Sequence, residues 1–206
     1  PRLRGDFDAA KISAKQTISA AYHVGGLAHA TMEPPAATAH IDGDIVNVWA
    51  CTQTPQGAQT NVMGTLAIPK ENIDNIKINV TLLGGGFGRK SKPDYVAEAA
   101  FLAKQTGLPI KVQWTREDEI KHGYYHSPSY QELEATLDQN NKVTGWYHAM
   151  VNHPIMSTFN PMAKAAGMVD LGLGDVMYDI PNIKIALGET ETFMRIGWVR
   201  SVTNIN

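Results

Sequence analysis

Apolar and polar positions along this chain recur with two different periods. Alternation with β-branching predicts strands over 15–24 (KQTISAAYHV) and 44–51 (DIVNVWAC). Between them, HATMEPPAATAHIDGD opens as a proline-broken loop, extends over Ala37–Ile41 and turns at Asp42-Gly43. Thr54-Pro55 reads as a helix start, with Thr54 as N-cap and proline at the first helical position, and the helix runs over 55–66. A strand follows over 76–83. A second helix begins at Pro93 (PDYVAEAAFLAKQTG), gathers Val96, Ala99, Ala100 and Ala103 on one face, and closes at Gly107 and Pro109. Residues 110–115 are the next strand, and 129–138 and 142–153 form a hairpin across Gln139-Asn140-Asn141. From 154 to 180 the pattern weakens into Met- and Gly-rich sequence, after which 183–188 and 192–199 read as two short strands. Hairpins beside βαβ pieces predict an α+β (mixed α/β) fold, with mixed sheets, flanking helices and a possible sub-boundary near 122–130.

Composition narrows the functions available. The chain has 206 residues, 43% of them hydrophobic, which suffices for a real core. A net charge of −2 without a basic face argues against nucleic acid as partner. No apolar run approaches the roughly 20 residues that span a bilayer. Cys51 is the single cysteine, so neither an iron–sulfur cluster, with its roughly four ligands, nor a disulfide can be built within the chain. His122 and His126 are four apart, but Gly123 and Pro128 oppose a helix that would bring them to one face. The chain opens on Pro1-Arg2-Leu3-Arg4 and closes on a segment that reads like the middle of an element, so an inner fragment of a longer protein is expected.

The stretch with most chemical content is INVTLLGGGFGRKSK (78–92), a strand that ends in three glycines, an aromatic residue and a fourth glycine. Glycine runs free backbone N–H groups to meet an acceptor and allow a bulky ligand to come close. The familiar phosphate cradles do not match. A P-loop requires Gly-Lys-Ser/Thr, and Arg89 intervenes between Gly88 and Lys90; a dinucleotide fingerprint counted from Gly84 would need glycine at position 89. The plain alternative is a tight strand-to-helix turn. Phe87 has little local structural purpose among glycines and suits the side of a flat ligand. Elsewhere, Gln53 and Gln56 carry amides where a strand becomes a helix, and Gln53 could donate to an oxo group. Glu33 sits in Met32-Glu33-Pro34-Pro35, which by itself reads as a solvated turn. Cys51 reads as a small buried hydrophobe, the eight Met residues as packing filler, and Arg200 as a surface arginine after a strand.

Taken in order, AHATMEPPAATAHI (28–41), WACTQTPQ (49–56), LLGGGFGRK (82–90), GLPIKVQWTREDEI (107–120) and WVRSV (198–202) resemble the molybdenum-binding large subunit of the xanthine dehydrogenase/aldehyde oxidase family. The nearest likeness is to the bacterial isoquinoline 1-oxidoreductase beta-subunit type. The resemblance implies a molybdenum-pterin cofactor, with the molybdopterin cytosine dinucleotide form expected in a bacterium. It implies oxidation of an aldehyde, or hydroxylation of an N-heterocyclic aromatic, with oxygen drawn from water. Electrons would leave through [2Fe–2S] clusters on a small partner subunit, which agrees with the single cysteine. By the same resemblance Gln53 matches a glutamine that hydrogen-bonds an oxo ligand. Gly85, Gly86 and Phe87 match the loop at the metal-oxo end of the cofactor, with Phe87 on the substrate side, and Arg200 falls where a backbone amide faces the cofactor.

The departures matter too. Ser91 stands where purine-oxidising members carry a glutamate, and no arginine is found near Val169, so a purine substrate is disfavoured. The family's catalytic base, a glutamate in a G-x-G-E stretch near the C-terminus of the full subunit, is expected beyond residue 206, and Gly188-Glu189 is not its equivalent. The fragment alone is therefore expected to be inactive. Two other readings stay open: a non-catalytic binding or assembly scaffold of the same fold, and a nucleotide-binding protein using the glycine loop. The compartment, periplasm or cytoplasm of a bacterium, is left open.

Overall fold

The structure of the chain is a computed structural model that describes residues 2–158, 160, 162, 164, 173–174 and 176–202. Val169, part of the 154–180 stretch and residues 203–206 lie outside the described residues. In chain order the elements are β1 (Arg2–Arg4), α1 (Phe7–Ser13), β2 (Gln16–Val24), β3 (Ala36–Asp42), β4 (Ile45–Ala50), α2 (Pro55–Leu66), β5 (Ile76–Val80), α3 (Asp94–Thr106), β6 (Ile110–Gln113), α4 (Arg116–His122), β7 (Ser129–Leu137), β8 (Val143–Asn152) and β9 (Asn182–Glu189). By its contacts the chain divides into two units. One comprises Pro1–Leu27, Tyr125–Ile196 and Arg200–Asn206; the other comprises Ala28–Tyr124 and Gly197–Val199. The two mixed sheets with flanking helices are the α+β class that the periodicity predicts. Among the described residues, no helix is long and apolar enough to cross a membrane.

The first unit is a five-stranded sheet in the order β1-β9-β8-β7-β2. All its pairs are antiparallel except β8 with β9. The predicted hairpin is β7–β8. Its turn is closed by Asp138, whose Oδ1 accepts the N–H of Asn140 at 2.8 Å and of Lys142 at 2.9 Å, while Asn141 takes the left-handed conformation (φ 61°) that asparagine tolerates. α1 carries too short an apolar stripe to stand out in the sequence. It is capped by Asp6, which accepts the N–H of Ala9 at 2.9 Å, and it buries Phe7 and Ala10, with the Phe7 ring 5.7 Å from that of Tyr147.

The strand expected over 192–199 does not form. Its only pairing among the described residues is an isolated bridge between Tyr125 and Ile196. The carbonyl of Trp198 meets the His29 ring Nε2 at 2.5 Å instead of a neighbouring strand, and a Cβ on Gly197 would lie 2.6 Å from that of Tyr124. At Trp198 a side-chain partner thus takes the place of a ladder partner.

The second unit is a four-stranded sheet in the order β5-β4-β3-β6. β4 pairs with β5 in parallel, and β3 lies antiparallel to both β4 and β6. The crossover from β4 to β5 passes through α2, as a parallel pair requires. The core of this unit gathers Ala37, Ala39, Val46 and Val48 from the sheet with Val62 and Leu66 of α2 and Val96, Ala99, Ala100 and Ala103 of α3. Alanines on both α3 and β3 let helix and strand pack tightly. A fully buried valine such as Val48, Val62 or Val96 contributes roughly 1.5–3 kcal/mol, so this core outweighs any single polar contact of the loops it supports.

Two local expectations are corrected. Thr54 occupies the N-cap of α2, but its side chain makes no capping hydrogen bond; its backbone N–H instead donates to Thr52 Oγ1 at 3.1 Å, and Pro55 offers no N–H at the first position. α4 was not anticipated, although Thr115 and Asp118 form a full capping box there, which the spacing Thr-x-x-Asp announces.

Candidate functional site

Thr81 N–H donates to the Ala50 carbonyl at 3.1 Å, and just beyond this bond the chain enters the glycine loop. Gly85 (φ 92°), Phe87 (φ 52°) and Gly88 (φ 97°) have positive φ. For Phe87, a bulky side chain, this conformation is strained, and such strain persists only where the surroundings over-determine it. The Phe87 ring lies over Gly85: a Cβ built on Gly85 would sit 3.4 Å from Phe87 Cε2. Phe87 is 41% exposed, so the ring presents an open apolar face. Arg89 N–H returns to the Gly86 carbonyl at 2.8 Å and Ser91 N–H to that of Gly88 at 3.1 Å, closing a 3-10 turn over Arg89–Ser91.

Gln53 stands against this loop. Its Oε1 accepts the backbone N–H of Gly88 at 3.1 Å. The approach is close enough that a Cβ on Gly86 would lie 2.3 Å from that oxygen. With Oε1 engaged, the two Nε2 protons are the remaining donors of the side chain. Gly88 in turn packs on the 197–199 segment, where a Cβ would come 1.7 Å from the Trp198 carbonyl oxygen. His29 bridges the same segment, its Nδ1 3.0 Å from the Tyr124 carbonyl and its Nε2 2.5 Å from that of Trp198.

Both ends of the loop are pinned. Glu33 N–H donates to the Gly84 carbonyl at 2.9 Å, and Gly84 N–H donates back to Glu33 Oε2 at 3.0 Å. The same Oε2 accepts from Lys90 Nζ at 2.6 Å, and the Lys90 side chain is wholly buried. The Lys90 carbonyl accepts Gln53 N–H at 3.0 Å and Thr52 Oγ1 at 3.2 Å. Glu33 is therefore no solvated turn residue. Burial works against its charge, but the Lys90 ammonium and the Gly84 N–H more than offset this and hold its carboxyl below the ordinary glutamate value. Its loop is held in turn by α4. Glu119, buried, accepts from Thr31 N–H and Oγ1, each at 3.0 Å, and Arg116 bonds to Glu119 and to the carbonyls of Thr31 and Met32.

Arg89 is also buried. It forms a two-point ion pair with Asp94 (2.8 and 3.0 Å) and has the rings of Tyr95, Trp114 and Tyr124 within 6 Å of its guanidinium. Tyr95 donates its hydroxyl to the Cys51 carbonyl at 2.7 Å, anchoring the segment that leads to Gln53. The Cys51 thiol is pushed up by burial, so it is not a ready thiolate.

The structure thus brings Gln53, Gly85, Gly86 and Phe87 together. Arg200 is exposed in a turn and belongs by its contacts to the other unit. Glu33, Lys90 and Glu119 were missed as parts of this assembly, since partners 57 and 88 residues apart leave no local signal. Among the described residues no acceptor meets the N–H groups of Gly85, Gly86 and Phe87. Three free backbone donors beside a positioned amide suit a ligand rich in oxygen acceptors, with a flat apolar part against Phe87. The first unit holds a separate open, mainly apolar cavity of about 800 Å³ lined in part by Val143, Trp146, His148, Leu173 and Tyr178; none of the anticipated residues lies in it.

Comparison with known proteins gives a consistent picture. The chain is 32% identical over 146 residues to the aldehyde oxidoreductase molybdenum-binding subunit PaoC of Escherichia coli (strain K12), covering 70% of this chain and 19% of that protein. It is 30% identical over 159 residues to the isoquinoline 1-oxidoreductase subunit beta of Brevundimonas diminuta, covering 74% and 20%. The chain therefore spans about a fifth of the length of these relatives. Its fold superposes on the aldehyde oxidoreductase from Desulfovibrio gigas with a TM-score of 0.75 at 20% identity, over 98% of this chain and 22% of that one. CO dehydrogenase from Oligotropha carboxidovorans gives 0.73 at 17% identity, over 97% and 25%. Residues 2–192 match the family model of the molybdopterin cofactor-binding domain. The chain belongs to the molybdopterin cofactor-binding domain family.

Proposed function

We propose that the 84–88 loop and Gln53 hold the metal-oxo end of a molybdopterin group, and that the chain is part of a molybdenum hydroxylase subunit. The observation that carries this reading is the Gly88 N–H to Gln53 Oε1 bond, which leaves the Gln53 Nε2 protons as donors beside a loop whose Gly85, Gly86 and Phe87 N–H groups meet no acceptor among the described residues. That donor set fits oxo-type acceptors, and the contact of Gly86 with Gln53 is so tight that a side chain at position 86 would displace the Gln53 amide. When bound, the group supplies the two-electron oxidation of substrate, with oxygen drawn from water. This chain's residues bind and orient it. Gln53 would donate from Nε2, with its orientation fixed by Gly88. The amides of Gly85, Gly86 and Phe87 would donate to it, held by a loop whose ends are pinned. The exposed Phe87 ring would offer a flat apolar face against which a planar substrate could pack.

The proposed substrate class is aldehydes or N-heterocyclic aromatics, supported by the names of the aldehyde and isoquinoline oxidoreductase relatives. A small [2Fe–2S] subunit is the proposed electron acceptor, and the cytosine dinucleotide the proposed form of the cofactor. The chain by itself would be inactive, its general base lying in another part of the protein. The test is elemental analysis for molybdenum on the whole protein, coexpressed with an iron–sulfur partner. Near-stoichiometric metal that is lost in Gln53→Ala, with oxidation of an aldehyde or an N-heterocycle, supports the reading. A well-folded protein without metal, under conditions that load a related enzyme, overturns it in favour of a non-catalytic scaffold.

A further inference from the structure

Glu33, Lys90 and Gln53 form a continuous chain of bonds around the glycine loop. Starting from Gly84, the path runs through the Glu33 carboxylate to the buried Lys90 ammonium, then from the Lys90 carbonyl to the Gln53 N–H, and from Gln53 Oε1 to the Gly88 N–H. The covalent chain from Gly84 to Gly88 closes the ring. The unpaired N–H groups of Gly85, Gly86 and Phe87 lie between the two pinned ends.

We propose that the Lys90–Glu33 ion pair is the positioning element of the cradle, setting the Gln53 amide and the loop N–H groups in one fixed geometry for the group they bind. This rests on the molybdopterin reading above as far as the identity of the bound group is concerned. Three observations favour positioning over simple packing. The ammonium is fully buried while its partner carboxylate is 38% exposed, an expensive arrangement for stability alone, since an apolar pair would fill the space without desolvating a charge. A single oxygen, Glu33 Oε2, takes both the Lys90 and the Gly84 bonds, so displacement of either group is felt by the other. Lys90 also carries the backbone carbonyl that holds Gln53 and Thr52, which makes one residue the hub for both sides of the cradle. Outer contacts of this kind control how well the inner ones meet their ligand.

The test compares the whole protein with Glu33→Gln, Lys90→Met and the double variant Glu33→Met/Lys90→Met. Hydrogen–deuterium exchange of peptides covering 52–54 and 84–88 is measured beside molybdenum content and thermal midpoint. The expected result is that exchange of the two bonded loop amides, Gly84 and Gly88, rises about ten-fold or more in each variant, while that of α3 stays unchanged. Molybdenum content is expected to fall at least about ten-fold, and to stay low in the double variant even where its thermal midpoint returns to that of wild type. A double variant that recovers midpoint, exchange protection and metal together makes the pair a packing element and overturns the proposal. Unchanged exchange at Gly84 and Gly88 in Glu33→Gln overturns it as well, and this half-exposed site serves where Lys90→Met does not fold. If exchange rises as expected but the wild-type protein binds no molybdenum, the clamp is upheld and the molybdopterin reading falls.

Discussion

The backbone N–H of Gly88 donates to Oε1 of Gln53 across 3.1 Å, joining the end of the glycine loop to the turn that begins α2. The two residues are 35 positions apart, and the bond engages Oε1 of the Gln53 amide and leaves its Nε2 protons as the remaining donors.

Gly86→Ala and Gln53→Ala test this geometry from opposite sides. A methyl group at position 86 would lie 2.3 Å from Gln53 Oε1, the far end of a flexible side chain that can swing away. Gly86→Ala is therefore expected to fold with a loss of about 1 kcal/mol or less, yet to lose most of its molybdenum. Gln53→Ala removes one exposed hydrogen bond, with a similarly small loss of about 0.5–1.5 kcal/mol. Denaturant midpoints and metal content, read side by side on both variants, check the separation of fold from binding.

Gly88→Ala should behave differently. A methyl group would lie 1.7 Å from the backbone oxygen of Trp198, and the φ of 97° is strained for any L side chain. Neither the carbonyl nor the residue can give way cheaply, so a loss of about 3 kcal/mol or more is expected, with displacement of the 197–199 segment. A variant unfolding within about 1 kcal/mol of wild type would contradict this packing.

Ala67 ends α2 in the left-handed conformation at φ 53°, where α3 uses Gly107 at φ 68°. A Cβ in that conformation costs roughly 1 kcal/mol. Ala67→Gly is expected to stabilise the protein by about 0.5–1 kcal/mol, with no change in metal content, as measured by urea denaturation.

Glu33 gives an acid-side signature. Its folded carboxyl titrates below the ordinary glutamate value, so the unfolded chain takes up the proton first as pH falls. The stability this group contributes is fully present above about pH 5 and is lost as pH falls through its folded value. The stability gap between wild type and Glu33→Gln should be constant from about pH 8 to 5 and close below about pH 4. A gap that opens with acidification would show that Glu33 is not the charged partner of Lys90.

The helices and strands of the second unit were legible because each declares itself locally. Pro55 and Gly107 punctuate α2 and α3, and the alanine face of α3 has the helical period. The loop was legible as a tight turn between a strand and a helix, because four glycines within five residues free the backbone for positive φ, which Gly85 and Gly88 adopt. The strand expected over 192–199 failed because apolar alternation reports a tendency, while pairing depends on which neighbour reaches the carbonyls first. Here a histidine side chain reaches that of Trp198. β1, with three residues, is too short for any period to show.

By itself, then, the sequence determined most of the element types, the class of fold and the glycine-rich turn of the 84–90 stretch, since periodicity and glycine conformation are properties of neighbouring residues. Tertiary structure alone decided that Glu33 is an ion-pair partner and not a solvated turn residue, that Lys90 is buried, and that Gln53 faces the loop through Gly88. Those facts depend on contacts across 35 to 57 residues. A charge in a Pro-flanked loop carries no mark of its partner until the chain has closed around it, because burial and pairing are set by the packing of distant segments.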